Sequence, residues 1–406
     1  MNFYLNKYGY LNPQISIEPE AGLGIIVVIP CYNEPDLISS LDALENCDVP
    51  ECNVEVIVVL NSSEIESDEI LRNNQETKAQ FESWNNNRKF QYHLIHVPSL
   101  SKKHAGVGLA RKIGMDEAVA RFDKIERDGI IVCFDADSKC EPNYLTEIEA
   151  HFVAYPKSPG CSIYFEHPLE GDEFRPGIYQ GIINYELHLR YYKQCLAYCG
   201  LPYAYHTVGS SMAVRSSAYQ KQGGMNKRKA GEDFYFIHKI IALGNFTELN
   251  STKVIPSPRS SDRVPFGTGR AIQEWLNGEN EEYLTYAFKT FEEIKQFVDQ
   301  LPEIYESIRL IDEVRVSQAF KLWLVENDFF IALDNAKSNS KNYESFKKRF
   351  YAWFDAFKVL KLVHWMRDYA YPDEPIAYQC EKLLGIRLKD EKEYLKKFRF
   401  SDKSVN

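Results

Sequence analysis

The chain has 406 residues and a net charge of -10 at pH 7, with 26% charged and 44% hydrophobic residues. This length exceeds what one compact core usually accommodates, so we expect two domains or one domain with a large extension. The acidic balance argues against a generic nucleic-acid binder, because such proteins usually present a basic face. A local basic patch remains compatible with these numbers.

Cysteine usage and apolar segments bear on where the protein works. The 9 cysteines form no C-x-x-C pair, which favours a reduced, intracellular protein over a disulfide scaffold. The N-terminal stretch lacks the basic start and apolar core of a signal peptide, and no run of about 18 apolar residues predicts a membrane-spanning helix. We expect a cytoplasmic protein, with peripheral membrane contact and homo-oligomerisation as open alternatives.

Alternating strand and helix patterns occupy the first third of the chain. Valine- and isoleucine-rich runs typical of strands buried on both faces occur at residues 24–30, 54–61, 90–98 and 129–137. Apolar residues at helical spacing lie between them, at Leu37, Leu41 and Leu44 and again at Leu109, Ile113, Ala118 and Phe122. This order predicts an α/β fold in which helices pack on a mostly parallel sheet.

The pattern changes towards the C-terminus. Residues 178–198 and 231–244 predict helices, and residues 254–271 form a loop rich in proline, glycine, serine and arginine. Beyond residue 272 the segments are amphipathic and helical. We therefore expect a catalytic domain over 1–271 and a C-terminal α-helical region over 272–406.

An aromatic stripe in the C-terminal region has helical spacing. Its members are Phe346, Phe350, Trp353 and Phe357. We interpret the stripe as core, with an apolar acceptor site, a dimer face or a membrane-surface contact as alternatives.

Polar residues follow three of the predicted strands, where ligands bind in an open α/β sheet. They are the PCYNE sequence at 30–34, Asn61, and the DAD sequence at 135–137. Two carboxylates on one turn can hold a hard divalent cation through oxygen ligands. Aspartate pairs are also common at solvated strand ends, so the DAD sequence alone is a weak signal.

The acidic pair Glu232 and Asp233 opens the predicted helix at 231–244. Acidic residues in a first turn interact favourably with the helix dipole, which is a purely structural interpretation. The functional interpretation is a general base that removes a proton from an acceptor hydroxyl.

Together these segments resemble glycosyltransferase family 2, which has the GT-A fold. The resemblance rests on five motifs in order: PCYNE at 30–34, GLARKIG at 108–114, DAD at 135–137, VGSSMAVR at 208–215, and the acidic pair at 232–233. It implies a Rossmann-like, mostly parallel sheet flanked by helices. It also implies transfer of a sugar from a nucleoside diphosphate sugar to an acceptor hydroxyl.

The resemblance also implies roles for individual residues. On the donor side, Pro30, Tyr32 and Glu34 match the segment that cradles the base and ribose, and Arg111 matches a basic position near the nucleotide. Asp135 would face the ribose or the metal, and Asp137 would bind Mg²⁺ or Mn²⁺. On the acceptor side, Asp233 would be the base of an inverting displacement, and Glu232 would help to place the acceptor.

Some residues depart from the family pattern or have no counterpart in it. Asn61 stands where many members have an aspartate that contacts the base, so the identity of the base is open. Arg259, Arg263 and Arg270 belong to the loop at 254–271 and could close over the diphosphate, or could be solvated. His206 and His238 are candidate third metal ligands.

Several alternatives stay open at this point. The acceptor could be a glycan, a lipid-linked sugar or a small molecule. A retaining transferase making a small glycoside and a non-catalytic sugar-nucleotide-binding protein are the rival functions. A sugar nucleotidyltransferase is disfavoured, because a glycine- and arginine-rich loop would then follow the first strand, where PCYNE stands.

Overall fold

The computed structural model describes residues 2–261, 267–278 and 282–404. The chain divides into two compact units that are discontinuous in sequence. The first comprises 1–182, 207–277 and 401–406, and the second comprises 183–206 and 278–400. The sequence predicted two continuous regions that divide at residue 271. In the structure, residues 183–206 belong to the second unit and residues 401–406 belong to the first.

The strands of the described residues have the following bounds. They are β1 (Leu23–Cys31), β2 (Asn53–Ser63), β3 (Gln91–Leu100), β4 (Ile130–Cys133), β5 (Lys139–Cys140), β6 (Gly160–Phe165), β7 (Met212–Arg215), β8 (Thr247–Ile255), β9 (Leu284–Thr285) and β10 (Glu374–Pro375).

The α-helices have the following bounds, and a short 3₁₀ turn occupies Ile311–Glu313. They are α1 (Phe3–Tyr8), α2 (Leu37–Glu45), α3 (Asp68–Trp84), α4 (Val107–Lys124), α5 (Tyr144–Ala154), α6 (Pro176–Tyr198), α7 (Ser216–Lys221), α8 (Glu232–Ile241), α9 (Thr268–Leu276), α10 (Phe288–Asp299), α11 (Leu301–Glu306), α12 (Gln318–Glu326), α13 (Phe329–Ser338), α14 (Tyr343–Trp353), α15 (Ala356–Tyr369), α16 (Ile376–Leu384) and α17 (Glu391–Lys403).

The first unit is built on one sheet, whose strand order within the described residues is β3-β2-β1-β4-β7-β6-β8-β5. The pairs β3/β2, β2/β1, β1/β4 and β6/β8 are parallel, whereas β7 and β5 run against their neighbours. The carboxyl ends of β1, β2, β4 and β8 therefore point to the same edge. This arrangement confirms the predicted α/β fold with a mostly parallel sheet flanked by helices.

Helix α4 lies directly on the sheet because Gly114 has no side chain. A Cβ at this position would collide with Val28 on β1 and lie 3.0 Å from Cγ2 of Val59 on β2. The helix is buried on all sides from Gly108 to Phe122, not on a single apolar face. The apolar spacing alone therefore understated how deeply α4 is enclosed.

Charged side chains on α4 are buried because the N-terminal segment supplies their partners. Asp116 accepts hydrogen bonds from the Tyr4 hydroxyl at 2.7 Å and from the Tyr10 backbone N–H at 3.1 Å. Glu117 accepts from the backbone N–H of Gln14 at 2.7 Å. Paired in this way, the carboxylates avoid the large cost of an unpartnered buried charge.

Helix α3 is not predicted by the sequence periodicity. Its sequence is rich in polar residues and it buries few side chains, Asn74, Thr77 and Phe81. Ser67 caps its first turn by accepting a hydrogen bond from the backbone N–H of Ile70 at 3.3 Å. The cap and the polar contacts of α3 compensate for its narrow apolar face.

The second unit is helical and its core is aromatic. Phe346 and Phe350 of the predicted stripe are 0% and 2% exposed, which confirms the interpretation of these two rings as core. The Phe297 ring packs against Phe320 and Phe354 with centroids 5.2 and 5.5 Å apart. Cys195 and Cys199 are also buried, as packing residues are.

None of the helices in the described parts of the chain has the length and apolar character that crossing a bilayer demands.

The Gly114→Ala substitution tests the contact between α4 and the sheet. Alanine favours helix by about 1 kcal/mol over glycine, but the collision with Val28 should outweigh that gain. We expect the free energy of unfolding to fall by about 1–3 kcal/mol, as overpacking typically causes. Chemical denaturation measures the change. Gly177→Ala is the control, since its Cβ would meet only the end of the Leu276 side chain at 3.1 Å, and an equal loss there would contradict the explanation.

Candidate active site

Parallel pairing brings three of the predicted polar segments to one edge of the sheet. Pro30 pairs with Val59 near the end of β2, and Val28 pairs with Cys133 at the end of β4. The DAD turn that follows β4 is tied to α2 by a hydrogen bond of 2.8 Å from the Ser40 hydroxyl to the Ala136 carbonyl. The PCYNE turn, Asn61 and the DAD turn are therefore neighbours, as expected for the carboxyl ends of adjacent parallel strands.

Helix α3 holds the PCYNE turn through Asn74, which sequence reasoning did not identify. The Asn74 side chain accepts from the Asn33 backbone N–H at 3.0 Å and donates to the Asn61 carbonyl at 3.1 Å. Asn33 has a positive φ of 48°, a conformation that asparagine tolerates better than most residues. One buried amide therefore joins the ends of β1 and β2, and the only sequence signal for it is an asparagine in a polar helix.

Arg111 on α4 joins the DAD turn to the start of α8. Its Nη2 donates to Oδ1 of Asp135 at 2.5 Å, and its Nη1 donates to Oε1 of Glu232. Arg111 and Glu232 are 2% and 3% exposed, whereas the Asp135 side chain is 38% exposed. A single interior guanidinium thus connects Asp135, predicted for the donor side, with Glu232 of the acidic pair predicted for the acceptor side.

Close backbone approach makes room for this guanidinium. A Cβ at Gly209 would lie 2.7 Å from Nη1 and 2.8 Å from Nη2 of Arg111. A Cβ at Gly108 would lie 3.0 Å from Cβ of Glu232. The glycines of the GLARKIG and VGSSMAVR motifs therefore leave the space that the Arg111 contacts occupy.

The protonation of the acidic pair on α8 is governed by burial and by Arg111. Burial raises the pKa of Glu232 to about 7, against the opposing effect of the Arg111 charge. Burial also raises the pKa of Asp233, and the Asp135 charge adds to that rise while Arg111 opposes it. For Arg111, burial lowers the pKa, but the Asp135 and Glu232 carboxylates raise it overall. The guanidinium stays charged, whereas the Glu232 and Asp233 carboxyls ionise less readily than usual.

A second arginine lies at the same edge. Arg259 follows β8, and its guanidinium binds both oxygens of Glu34, at 3.0 and 2.5 Å, and Oδ2 of Asp137 at 3.1 Å. Glu34 is 1% exposed and Asp137 is 28% exposed. The loop predicted at 254–271, which has no firm counterpart in the family pattern, is therefore joined to both the PCYNE and DAD turns.

The other predicted residues lie as follows. Tyr32, which belongs to the PCYNE turn, is half-buried. Arg270 lies on α9, where its Nε donates to Oε1 of the exposed Glu274 at 2.7 Å, and Arg263 is outside the described residues. His238 on α8 packs against Phe234 at 4.5 Å between centroids, and burial lowers its pKa to about 4. His206 belongs to the second unit.

The carboxylate oxygens at the DAD turn are ligands suited to a hard divalent cation that also binds substrate phosphates. Among residues 2–261, 267–278 and 282–404, no group of three metal-binding side chains is gathered. Asp135 and Asp137 nevertheless offer two accessible carboxylates on one turn. Mg²⁺ commonly binds one or two protein carboxylates together with substrate phosphates and water, so these residues fit such an ion.

Comparison with known proteins gives the class of this site. Residues 26–220 match the model of glycosyl transferase family 2, a stretch that contains the PCYNE, GLARKIG and DAD motifs and ends before Glu232 and Asp233. The chain is therefore a glycosyltransferase. The match covers residues 26–220, a little under half of the chain, and it confirms the resemblance to glycosyl transferase family 2 seen in the sequence.

Solved structures with a distant similarity include S. aureus TarS. Its 1–349 fragment in complex with UDP-GlcNAc is 13% identical, with a TM-score of 0.40, covering 94% of this chain and 89% of that chain. The same fragment in complex with UDP is also 13% identical, with a TM-score of 0.38, covering 94% and 88%. A search of curated proteins found no match.

Arg111→Lys tests the bridge between the DAD turn and α8. Lysine keeps a positive charge, but its single ammonium group lacks the planar fork that reaches two carboxylates. We expect kcat to fall about 100-fold through misplacement of the site. The free energy of unfolding should fall by about 3 kcal/mol, because the buried Glu232 loses its partner. Steady-state kinetics and denaturation measure these changes.

Arg315→Lys is the matched control for this variant. Arg315 makes a two-pronged pair with Glu303, at 2.7 and 2.9 Å, but both side chains are more than half exposed. Exposed pairs contribute little to stability, so the control should behave like the wild type. Near-normal turnover in Arg111→Lys would show that the bridge is dispensable.

Proposed function

We propose that the chain is a metal-dependent, inverting glycosyltransferase that moves a sugar from a nucleoside diphosphate sugar to an acceptor hydroxyl in glycan or glycoconjugate synthesis. The observation that supports this proposal is the Arg111 bridge. It places Asp135 of the DAD turn and Glu232 on one guanidinium, with Asp233 next in sequence. Donor-side and acceptor-side carboxylates therefore share one site.

In the proposed reaction Asp233 acts as the general base. Its carboxylate takes the proton of the acceptor hydroxyl, and the acceptor oxygen forms a bond to the anomeric carbon with its lone pair. The bond between that carbon and the diphosphate oxygen breaks, and the diphosphate leaves with the electron pair. Attack opposite to the leaving group inverts the anomeric configuration.

Neighbouring residues would prepare this step. Glu232 is buried against Arg111, so we propose that it orients Arg111 and the start of α8. Pro30 and Tyr32 would line the base and ribose site. Asn61, whose carbonyl accepts a hydrogen bond from Asn74, would lie at the bottom of that site. A divalent cation, held by Asp137 with Asp135 beside it, would stabilise the negative charge of the departing diphosphate.

Asp233→Asn removes the proposed base with little change in shape. We expect kcat to fall about 10²- to 10⁴-fold, the usual contribution of a positioned base, while binding of the nucleotide sugar is retained. Asp233 must be ionised to act, and its pKa is raised by burial. In the wild type kcat/KM should therefore decline as the pH is lowered through that raised pKa, above the ordinary aspartate range.

Kinetics over a pH series and calorimetric titration with a panel of nucleoside diphosphate sugars provide the measurements. The control is Asp368→Asn, since Asp368 is 52% exposed and pairs with Arg367 in the second unit. Near-normal transfer by Asp233→Asn would refute the assignment of the base. NMR of the product would reveal its anomeric configuration, and retention would favour the rival retaining mechanism.

Removal of metal tests the role of the DAD turn. We expect EDTA to abolish transfer and added Mn²⁺ or Mg²⁺ to restore it. Asp137→Asn should raise the Mn²⁺ concentration needed for half-maximal activity by about 10- to 100-fold, since even indirect partners of a metal contribute that much. Full activity in EDTA after dialysis would contradict metal dependence.

A further inference from the structure

Arg259 is shared between an interior carboxylate and an accessible one. Its Nη1 and Nη2 donate to the two oxygens of Glu34, and Nη2 also donates to Oδ2 of Asp137 at 3.1 Å. Glu34 is 1% exposed and also accepts from the backbone N–H of Asp36 at 3.0 Å. The contact with Glu34 therefore holds the guanidinium in place. The Nη2 atom that contacts Asp137 is also bound to Glu34.

The two contacts differ in how readily they can be lost. Separating Arg259 from Glu34 would remove a cationic partner from a buried carboxylate, which is costly. Separating it from Asp137 exposes a carboxylate that already reaches solvent, and such pairs contribute little. Exchange of partners at Asp137 is thus the less costly change.

A divalent cation and the Arg259 guanidinium would compete for Asp137. Both are positive and both bind the Asp137 carboxylate, and like charges at about 4 Å repel each other. An arginine guanidinium keeps its proton in proteins, so Arg259 cannot avoid this repulsion by becoming neutral.

We infer that Asp137 exchanges Arg259 for the divalent cation when the donor binds, and that Arg259, still anchored on Glu34, then donates its released N–H to the donor diphosphate. This inference rests on the proposed function. It makes Arg259 a positioning residue that neutralises the DAD turn before donor binding and recognises the diphosphate afterwards. Arginine suits both tasks, because its planar fork pairs with carboxylates and phosphates alike.

Arg259→Gln separates the two halves of the inference, because they predict changes of opposite sign. Without nucleotide, Mn²⁺ should bind the variant about 2- to 5-fold more tightly than the wild type, since the competing guanidinium is gone. In the presence of Mg²⁺, inorganic pyrophosphate should bind about 3- to 10-fold more weakly, since a diphosphate donor is lost. Electron paramagnetic resonance of free Mn²⁺ and calorimetry with pyrophosphate measure the two constants on the full chain.

Two further variants complete the experiment. Arg315→Gln removes an exposed arginine that also makes a two-pronged pair, and it should leave both constants unchanged. Asp137→Asn should weaken Mn²⁺ binding, which establishes that the titrated ion occupies the DAD turn. Thermal melting of Arg259→Gln checks that the variant is folded, and Arg259→Lys, which keeps the charge, should shift Mn²⁺ binding less than glutamine does.

The outcomes distinguish this inference from the function on which it rests. If Asp137→Asn weakens Mn²⁺ binding but Arg259→Gln leaves it unchanged or weakens it, the exchange is wrong and the metal assignment stands. Unchanged pyrophosphate affinity in Arg259→Gln would refute the second role of Arg259. If Asp137→Asn leaves Mn²⁺ binding unchanged, the metal assignment and the exchange both fail.

Discussion

The buried guanidinium of Arg111 is the interaction on which the arrangement of the site depends. A charge this deep in the protein is stable only if carboxylates surround it, and those carboxylates come from two distant parts of the chain, Asp135 and Glu232. Helix α4 can deliver the guanidinium because Gly114 brings the helix against the sheet and Gly209 leaves space for its nitrogens. The pairing of charges and the packing at these glycines therefore favour the same position of the Arg111 guanidinium.

The direction of the strands explains why the other groups meet at this point. Since β1, β2, β4 and β8 run the same way in the sheet, the loops that follow them emerge at one edge. The antiparallel strand β7 begins at that edge, which brings Gly209 to Arg111. Segments separated by more than 200 residues in the chain thus become neighbours, as the contact between Glu34 and Arg259 shows.

Two arginines balance the charge of the edge before any ligand binds. Arg111 pairs with one interior and one accessible carboxylate, and Arg259 does the same with Glu34 and Asp137. In each case the interior carboxylate fixes the arginine, and the accessible one reaches solvent. The site therefore has its positive groups in place without holding an unpaired charge in the interior.

The sequence by itself determined the fold class, the resemblance to glycosyl transferase family 2 and the motifs at the sheet edge, because runs of β-branched residues and helical spacing reflect burial that is local along the chain. It did not predict α3, where polar side chains such as Asn74 replace an apolar face, nor β8. The partners of Arg111 and the anchoring of Arg259 on Glu34 were decided only by tertiary structure. These contacts join residues far apart in sequence. They form because the direction of the strands and the close packing at glycine residues place opposite charges next to each other in the protein interior.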